Sequence, residues 1–342
     1  LGLLLVPYSS WDWDGYGCGG YDSGVQLVDW ANDTLVKRGV APVRGTAKRA
    51  FLHNERLFAL SDEQVRTFDF ADRDSPQKTG ELQFAAHGSK TVVVGELLVR
   101  LAADWWTDEP RLEIVPLANA GAAQAVGALD LGGMLADAEN DQSCYMWSSW
   151  NVRLFTTGNT VVLVWPSWSG ELARVATVDV SSPSAPTLLT HVDVPVDPYS
   201  YGGWYYGYGS LVSNGDTMAM VGDKLLLAKM DWTTDEYGYQ SPWATGEHGG
   251  ELRTLDLSSP AAPQLSPPSP LPVGLGHTGF QVYGDKAYFS HWTPVANMPG
   301  KVKFYVDRAV VTGSGPALLP PINVPGSLVS LDVQSGNALT ID

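Results

Sequence analysis

One short pattern recurs along the whole chain: a run of apolar residues ends in a hydrophobic residue, an aspartate and a second hydrophobic residue, or in a close variant. Neighbouring copies are separated by roughly 40 to 77 residues, which overlaps and exceeds the length of one repeat in blade-type repeat proteins. The six copies are Val28-Asp29-Trp30, Phe68-Asp69-Phe70, Val115-Pro116-Leu117, Val178-Asp179-Val180, Leu255-Asp256-Leu257 and Leu331-Asp332-Val333. A chain with this recurrence is expected to be built from repeated units.

The unit around each copy reads as four short strands, most plainly between residues 218 and 274. Strands at Met218 to Val221 and Lys224 to Met230 flank a tight turn, and a third strand ends in the triplet around Asp256. A fourth strand follows Ser258-Ser259-Pro260, so the unit is a four-stranded antiparallel blade and the fold class is an all-β propeller. The aspartate that closes the third strand is expected to bond its own backbone and open the next turn, which is a structural role.

This template predicts one propeller domain over residues 1–342, with six visible blades in a ring of about six to eight. The blade ranges are 1–45, 46–86, 88–136, 150–200, 217–275 and 278–342. The first blade is incomplete because Leu1 to Val6 reads as a second strand, and an unpaired strand edge is a liability. Residues before Leu1 or after Asp342 are therefore expected to supply the missing partner, as part of a longer chain. Two-residue hairpin turns are predicted at Gly222-Asp223, Gly284-Asp285, Gly158-Asn159 and His53-Asn54.

The net charge of the chain disfavours some classes of binding partner. The chain has 37 acidic and 21 basic residues and a formal net charge of -16, which repels phosphate backbones and anionic lipid surfaces. Nucleic acid is therefore excluded as a partner. Leu1 to Val6 is too short for a transmembrane helix and lacks the features of a secretion signal, so any targeting segment is expected upstream.

Two blades carry a family resemblance. Residues 175–186 read VATVDVSSPSAP and residues 252–263 read LRTLDLSSPAAP. They resemble the IVDVSDPxxP blades of secreted bacterial propellers of the LVIVD-repeat type, and are similar to secreted propellers distantly related to WD40 repeats. The resemblance implies an extracytoplasmic protein, secreted, periplasmic or at the cell surface, that is often not an enzyme. Pro116 in the third copy and the Gln-Ser-Gly-Asn run after the last copy depart from the pattern.

Strand order predicts where the aromatic residues gather. Loops between the second and third strands of a blade, and between successive blades, emerge on one face, and nearly all unusual loops belong to this set. The aromatic side chains of these loops either pack on one another as a local cap over the propeller or form a surface that binds a partner. We expect a partner surface, with protein as the leading ligand and carbohydrate as the next. The predicted binding residues are Trp11, Trp13, Tyr16, Trp105, Trp106, Trp147, Trp168, Tyr199, Trp204, Tyr205, Tyr206, Trp232, Trp243 and Trp292.

Metal sites have only weak support. Asp12, Asp14 and Asp22 resemble the start of a calcium loop, but Tyr16 occupies the third alternate position and no Glu follows at the twelfth, so solvated turn aspartates are the default. His248, His277 and His291 map to the aromatic face and could converge on a transition metal, yet separate loop histidines explain them equally well. We therefore predict no cofactor, with calcium as a weak possibility.

The two cysteines and the serines give no firm evidence for a disulfide or a catalytic site. If the loops of Cys18 and Cys144 meet, a disulfide would join the first blade to the connection after the third and imply an oxidising compartment; the sequence leaves the pairing open. No G-x-S-x-G nucleophile elbow is present, so a hydrolase triad has no support.

These observations favour a non-catalytic binding or assembly module. It is predicted to be extracytoplasmic and to use its aromatic and acidic loop face to bind a protein partner in a surface or envelope complex. The alternative is a polysaccharide-binding or polysaccharide-degrading propeller, in which Asp231 and Glu247 would face each other across a sugar. A third possibility is a calcium-stabilised structural subunit of an envelope or filament assembly.

Overall fold

The computed structural model shows a chain made almost entirely of β-strands. It describes residues 2–11, 21–85, 88, 90–102, 110–135, 152–166, 172–195, 218–230, 249–275, 277–332 and 334–342. In these ranges the only helical pieces are one α-helical turn, α1 (Gly132–Leu135), and one 3-10 turn at Leu117–Asn119. None of the helices in these ranges has the length and apolar character needed to cross a bilayer. The prediction of an all-β chain of four-stranded antiparallel blades is confirmed.

The first of two compact units comprises Leu1–Val152 with Val180–Thr187. It holds three antiparallel sheets, and within each sheet the strands pair in chain order. The first sheet contains β1 (Gly2–Trp11), β2 (Tyr21–Ala31) and β3 (Thr34–Pro42). The second sheet contains β4 (Ala47–His53), β5 (Arg56–Ser61), β6 (Gln64–Asp69) and β7 (Gln77–Gln83). The third sheet contains β8 (Lys90–Val94), β9 (Leu97–Ala102), β10 (Arg111–Pro116) and β11 (Gly127–Asp130).

The second unit comprises Arg153–Asp179 with Leu188–Asp342. Its fourth sheet contains β12 (Arg153–Thr157), β13 (Thr160–Pro166), β14 (Ala173–Asp179) and β15 (Thr187–Val194). The fifth contains β16 (Met218–Val221), β17 (Lys224–Met230) and β18 (Gly250–Asp256), and the short strands β19 (Gln264–Leu265) and β20 (Ser269–Pro270) both pair with β18. The sixth contains β21 (Gln281–Tyr283), β22 (Lys286–Pro294), β23 (Val302–Thr312) and β24 (Gly315–Val324), and β25 (Ser327–Asp332) pairs with β26 (Asn337–Ile341) in a seventh.

Hydrophobic cores form where neighbouring sheets of one unit pack face to face. In the first unit, Val25 and Leu27 of β2 pack with Leu57 and Ala59 of β5. In the second unit one core joins the fourth and fifth sheets and another joins the fifth and sixth, where Leu226 belongs to the same cluster as Phe289. Alternate residues of each strand point to one face, so a strand between two sheets must be apolar on both sides. Stacked sheets of this kind are the packing expected of propeller blades.

The repeated aspartates play the predicted structural role. Asp69 Oδ1 accepts a hydrogen bond from the Ala71 amide at 2.9 Å, Asp256 Oδ1 from the Ser258 amide at 2.9 Å, and Asp332 Oδ1 from the Gln334 amide at 3.0 Å. The hydrogen bond from the Ser258 backbone amide lowers the pKa of the Asp256 carboxyl group. Each carboxylate thus closes a local turn at a strand end, as predicted.

Asp29 departs from this rule. Its carboxylate is largely buried and forms ion pairs with Arg73 and with Arg38, and the pair with Arg38 is 3.8 Å long. The aspartate lies two residues before the end of β2, so its side chain meets these arginines instead of the following turn. This copy therefore anchors neighbouring segments of the first unit.

The predicted hairpin turns are confirmed at Gly158-Asn159, Gly222-Asp223 and Gly284-Asp285, since each pair lies between two paired strands. The turn predicted at His53-Asn54 is wrong by one residue. His53 pairs with Arg56, so the turn consists of Asn54 and Glu55. Both residues have positive φ, 46° and 60°, which is the requirement of a type I′ turn.

The last triplet also differs from expectation. The four strands of the sixth sheet end at Val324, and Leu331-Asp332 closes β25, the first strand of a two-stranded hairpin. The other five triplets lie on the third strand of the predicted template. A turn aspartate stabilises any strand end, so the motif by itself does not specify the rank of a strand in its sheet.

Candidate functional site

The end of β22 positions Trp292, the predicted binding residue whose side chain is described. In the antiparallel ladder Trp292 pairs with Phe304, and Pro294 pairs with Val302 two residues further on. The segment before β21 adds a bridge on the other side, where the amides and carbonyls of Leu275 and Trp292 exchange two hydrogen bonds of 2.8 Å. The backbone of Trp292 is therefore held from both sides.

The connection from β22 to β23 is a self-bonded loop. The Val295 amide donates to the Lys301 carbonyl at 2.9 Å, and the Lys301 amide donates to the Met298 carbonyl at 3.0 Å. Between the last two residues lie Pro299 and Gly300, the latter with φ of 76°, which is the composition of a type II turn. Because the loop satisfies its own backbone groups, its shape does not depend on a ligand.

An open depression of about 450 Å³ lies beside this loop. Its lining is mostly apolar, and Met298 and Val302 are 58% and 37% exposed. Trp292 is partly exposed. None of the described lining residues carries a carboxylate, and the polar side-chain groups among them are the Asn297 amide, the Lys301 ammonium and the Trp292 indole N–H. The lining residues are Leu275, Trp292, Pro294, Val295, Asn297, Met298, Pro299, Gly300, Lys301 and Val302.

Buried polar groups lie on the opposite face of β22. His291 is 4% exposed, and its Nδ1 is 2.5 Å from Oδ2 of Asp307, which is 1% exposed. The imidazole ring stacks on Tyr305 with a centroid distance of 5.2 Å and on His277 with one of 5.5 Å. Since residues 291 and 292 alternate across the strand, this cluster supports the site from behind and does not line the depression.

The backbone of Gly274 packs directly against the His291 ring of this cluster. A Cβ atom built at residue 274 would lie 2.3 Å from Cδ2 of His291, closer than any ordinary contact. The Nε2 atom of His277 lies 2.8 Å from the Pro272 carbonyl oxygen, which ties the same segment to the cluster. The chain before β21 can approach β22 this closely only with glycine at this position.

The charge beside the depression is opposite to that of the chain. Residues 293–303, which contain the loop beside the depression, include two lysines and no acidic residue. Lys301 and Lys303 are exposed, and neither forms an ion pair with a residue in the described part of the chain. This edge of the sixth sheet is therefore a basic and apolar surface within an acidic protein.

The weak metal candidates find other partners where the structure describes them. Asp22 accepts a hydrogen bond of 2.6 Å from the Tyr8 hydroxyl, and burial together with this carboxylate raises the pKa of Tyr8 to about 12. His277 and His291 stack on each other. Among the described residues no group of three or more His, Cys, Asp or Glu side chains is arranged to hold a metal ion.

A second aromatic cluster lies at the corresponding end of β13. Trp165 is fully buried and stacks on His191 of β15, with ring centroids 5.3 Å apart. Asp193 lies 3.9 Å from His191 and 3.7 Å from Arg174. Burial lowers the pKa of His191. This tryptophan contributes to packing.

Most of the predicted site residues lie outside the described ranges. Trp11 ends β1, where its backbone pairs with Tyr21, and its side chain is outside the description. The predicted residues outside the described ranges are Trp13, Tyr16, Trp105, Trp106, Trp147, Trp168, Tyr199, Trp204, Tyr205, Tyr206, Trp232 and Trp243 for binding, Asp12, Asp14 and His248 for metal, and Cys18 and Cys144 for the disulfide. They remain predictions.

Trp292 was named from the sequence, but the residues around it were not. Met298, Lys301 and Val302 line the depression, and Asp307 supports it from behind. A signal for the loop was present, because Pro299-Gly300 is a turn dipeptide between two apolar runs. The pairing of His291 with Asp307 had no sequence signal, since it depends on the register of two strands.

No protein-family model and no curated protein sequence matches the chain. Solved structures with similar folds include a protein from Lactobacillus plantarum, with 13% identity over 90% of this chain and 80% of that chain, and a TM-score of 0.33. Hsv2 of Kluyveromyces lactis has 14% identity over 89% and 83%, with a TM-score of 0.33. The propeller domain of the trilobed protease of Pyrococcus furiosus has 9% identity over 76% and 67%, with a TM-score of 0.33. At these values the similarities support no inference about ligand or activity.

Proposed function

We propose that this protein is a non-catalytic binding module that recruits a protein partner to an extracytoplasmic surface or envelope complex. The observation that carries the proposal is the open apolar depression beside Trp292, formed by a self-bonded loop at the end of a rigid sheet. Loops held by a rigid scaffold are where binding residues concentrate.

The shape and composition of the depression support a binding role. A loop that is already ordered loses little conformational entropy when a partner docks, so more of the contact energy remains as affinity. Trp292 and Met298 offer a large apolar contact area, and both residue types are enriched at protein interfaces. The buried His291–Asp307 pair lies behind β22, where it supports the strand without reaching the depression.

The extracytoplasmic location and the absence of a cofactor are further parts of the proposal. The location is supported by the resemblance of residues 175–186 and 252–263 to secreted propellers. Calcium remains the one cofactor with any sequence support, through Asp12, Asp14 and Asp22. If a chelator lowers the melting temperature of the purified protein, a bound cation must be added to this account.

The alternative function is binding or cleavage of a polysaccharide. It is favoured by the aromatic residues of the loops, since flat rings can stack on sugar faces, and by Asp231 and Glu247. At the Trp292 depression the described lining offers no carboxylate to bond sugar hydroxyls, which favours a protein ligand there. Activity on a glycan panel that disappears in the Glu247→Gln variant would establish the alternative instead.

A random peptide library displayed on phage tests the proposal. Peptides selected on the wild-type protein are expected to lose binding to a Trp292→Ala, Met298→Ala double variant. The matched control is Trp30→Ala, which removes a tryptophan that is 53% exposed on the first sheet and should leave binding unchanged. Selected peptides that bind the double variant as well as the wild type would show that the depression is not the binding site.

A further inference from the structure

The geometry points to a specific class of ligand for this site: we propose that the Trp292 depression binds an extended acidic peptide segment that carries an apolar anchor residue. The inference rests on the proposed binding function and goes further by assigning the chemistry of the partner. It combines an apolar surface with two lysines that have no ion-pair partner in the described part of the chain.

The apolar surface accounts for the anchor. Trp292, Pro294 and Val302 lie on one face of the β22–β23 ladder, and Met298 projects from the loop beside them. Burial of one large apolar side chain favours binding because it removes apolar area from water. An aliphatic or aromatic side chain from the partner would cover Met298 and Val302, two exposed apolar residues of the lining.

The two lysines account for the acidic residues. Lys301 lines the depression. Lys303, at the start of β23, is paired with Thr293, so it lies on the other face of the ladder from Trp292 and Val302 and adds positive charge to the same sheet edge without lining the depression. The carboxylates within the same sheet do not compete for them, because Asp307 is buried against His291 and Asp285 is bonded to Lys286 at the other end of β22. A carboxylate on the partner is therefore the group that complements this edge.

The net charge of the chain sharpens the requirement. The formal charge of -16 repels an acidic segment on average, and a local basic surface offsets that repulsion where the segment docks. The same repulsion disfavours other docking positions for an acidic peptide, so the charge contributes to specificity as well as affinity. A neutral apolar segment would gain nothing from Lys301 and Lys303.

Fluorescence anisotropy with three labelled peptides tests the proposal on the full chain. The peptides share one leucine-phenylalanine anchor and differ only in flanks of aspartate, asparagine or lysine. The acidic peptide is expected to bind roughly tenfold more tightly than the neutral one at low ionic strength, with the difference falling as salt rises. In a Lys301→Glu, Lys303→Glu double variant the preference should shift to the lysine-flanked peptide.

A charge-matched control uses Lys37→Glu with Lys229→Glu, two exposed lysines of other sheets, and should keep the acidic preference. Equal binding of acidic and neutral peptides, both lost in Trp292→Ala, would overturn the acidic assignment and leave the binding function standing. No binding of any peptide to the wild type would overturn both. Tightest binding of the lysine-flanked peptide to the wild type would show that distant acidic groups dominate, which also overturns the inference.

Discussion

Trp165 and Trp292 occupy nearly equivalent places and have different fates. Each lies near the end of the second strand of its sheet, shortly before a proline. Trp165 is fully buried and stacks on His191, whereas Trp292 is partly exposed and lines an open depression. Strand order brings both rings to the same end of their sheets, but the side chains packed around each ring decide whether it belongs to the core or to a surface.

Stability measurements on the two tryptophans give the largest expected contrast. Trp165→Ala should lower the free energy of unfolding by about 4 kcal/mol, since truncation of a buried tryptophan leaves a cavity. Trp292→Ala should lower it by about 1 kcal/mol or less and act mainly on peptide binding. Urea denaturation followed by circular dichroism measures both.

Trp165→Phe provides the control for this pair. It keeps an aromatic ring against His191 and removes the indole N–H, which is buried and has no hydrogen-bond partner among the described residues. Its cost should therefore be well below that of Trp165→Ala. Equal stability losses for Trp165→Ala and Trp292→Ala would remove the distinction between a core ring and a surface ring.

Substitution of Asp307 removes the buried His291–Asp307 pair on the other face of β22 from Trp292. Asp307→Ala leaves the buried His291 without its carboxylate, and the loss of one partner of such a buried pair costs about 3 kcal/mol. The same denaturation experiment measures it. Asp285→Ala is the control, because its ion pair with Lys286 is exposed and its removal should not shift the transition. A shift for Asp307→Ala as small as that of the control would mean that the cluster does not hold β22 in place.

Close packing of the segment before β21 predicts a smaller effect. Gly274→Ala places a methyl group against His291, and the required displacement should cost about 2 kcal/mol. Gly133→Ala is the control, since no heavy atom of another described segment lies within 4 Å of the added Cβ and the backbone is helical. Thermal unfolding of the two variants compares them, and equal melting temperatures would contradict the tight contact.

The smallest effect concerns pH and the Trp165 cluster. Burial lowers the pKa of His191 in the folded protein, so the folded state binds fewer protons than the unfolded state as the pH falls. The stability that follows from the neutral ring is present above about pH 6.5 and is lost as the pH falls toward the folded pKa. The His191→Gln variant should show a weaker fall in melting temperature between neutral and mildly acidic pH than the wild type. An unchanged dependence of melting temperature on pH would indicate that burial beside Trp165 does not lower the pKa of His191.

Much of the fold could be predicted from local patterns. The strands Met218–Val221 and Lys224–Met230 were predicted with the bounds that the structure has, because a Gly-Asp pair between two apolar runs marks a two-residue hairpin. The turn after β4 was predicted one residue too early, since Asn54 and Glu55 both adopt positive φ and the sequence does not distinguish Asn at the first turn position from Asn at the second. Such errors stay local.

The candidate site was predicted only in part. An aromatic residue near a strand end, such as Trp292, is visible in the sequence, whereas His291 and Asp307 are 16 residues apart on different strands and meet through the β22–β23 register. The basic character of the edge was hidden by the net charge of the whole chain, which says nothing about where Lys301 and Lys303 lie. The remaining aromatic loop residues are still predictions.

By itself the sequence determined the all-β class, the strand and turn positions of its clearest blade and the turn-closing aspartates, because hydrophobic alternation, turn residues and short side chain to backbone bonds act over a few residues. The tertiary structure decided which tryptophan is buried, which carboxylate meets a histidine and where two lysines remain exposed. Those outcomes depend on the register of paired strands and on the packing of neighbouring sheets, which bring together residues that are far apart in the chain.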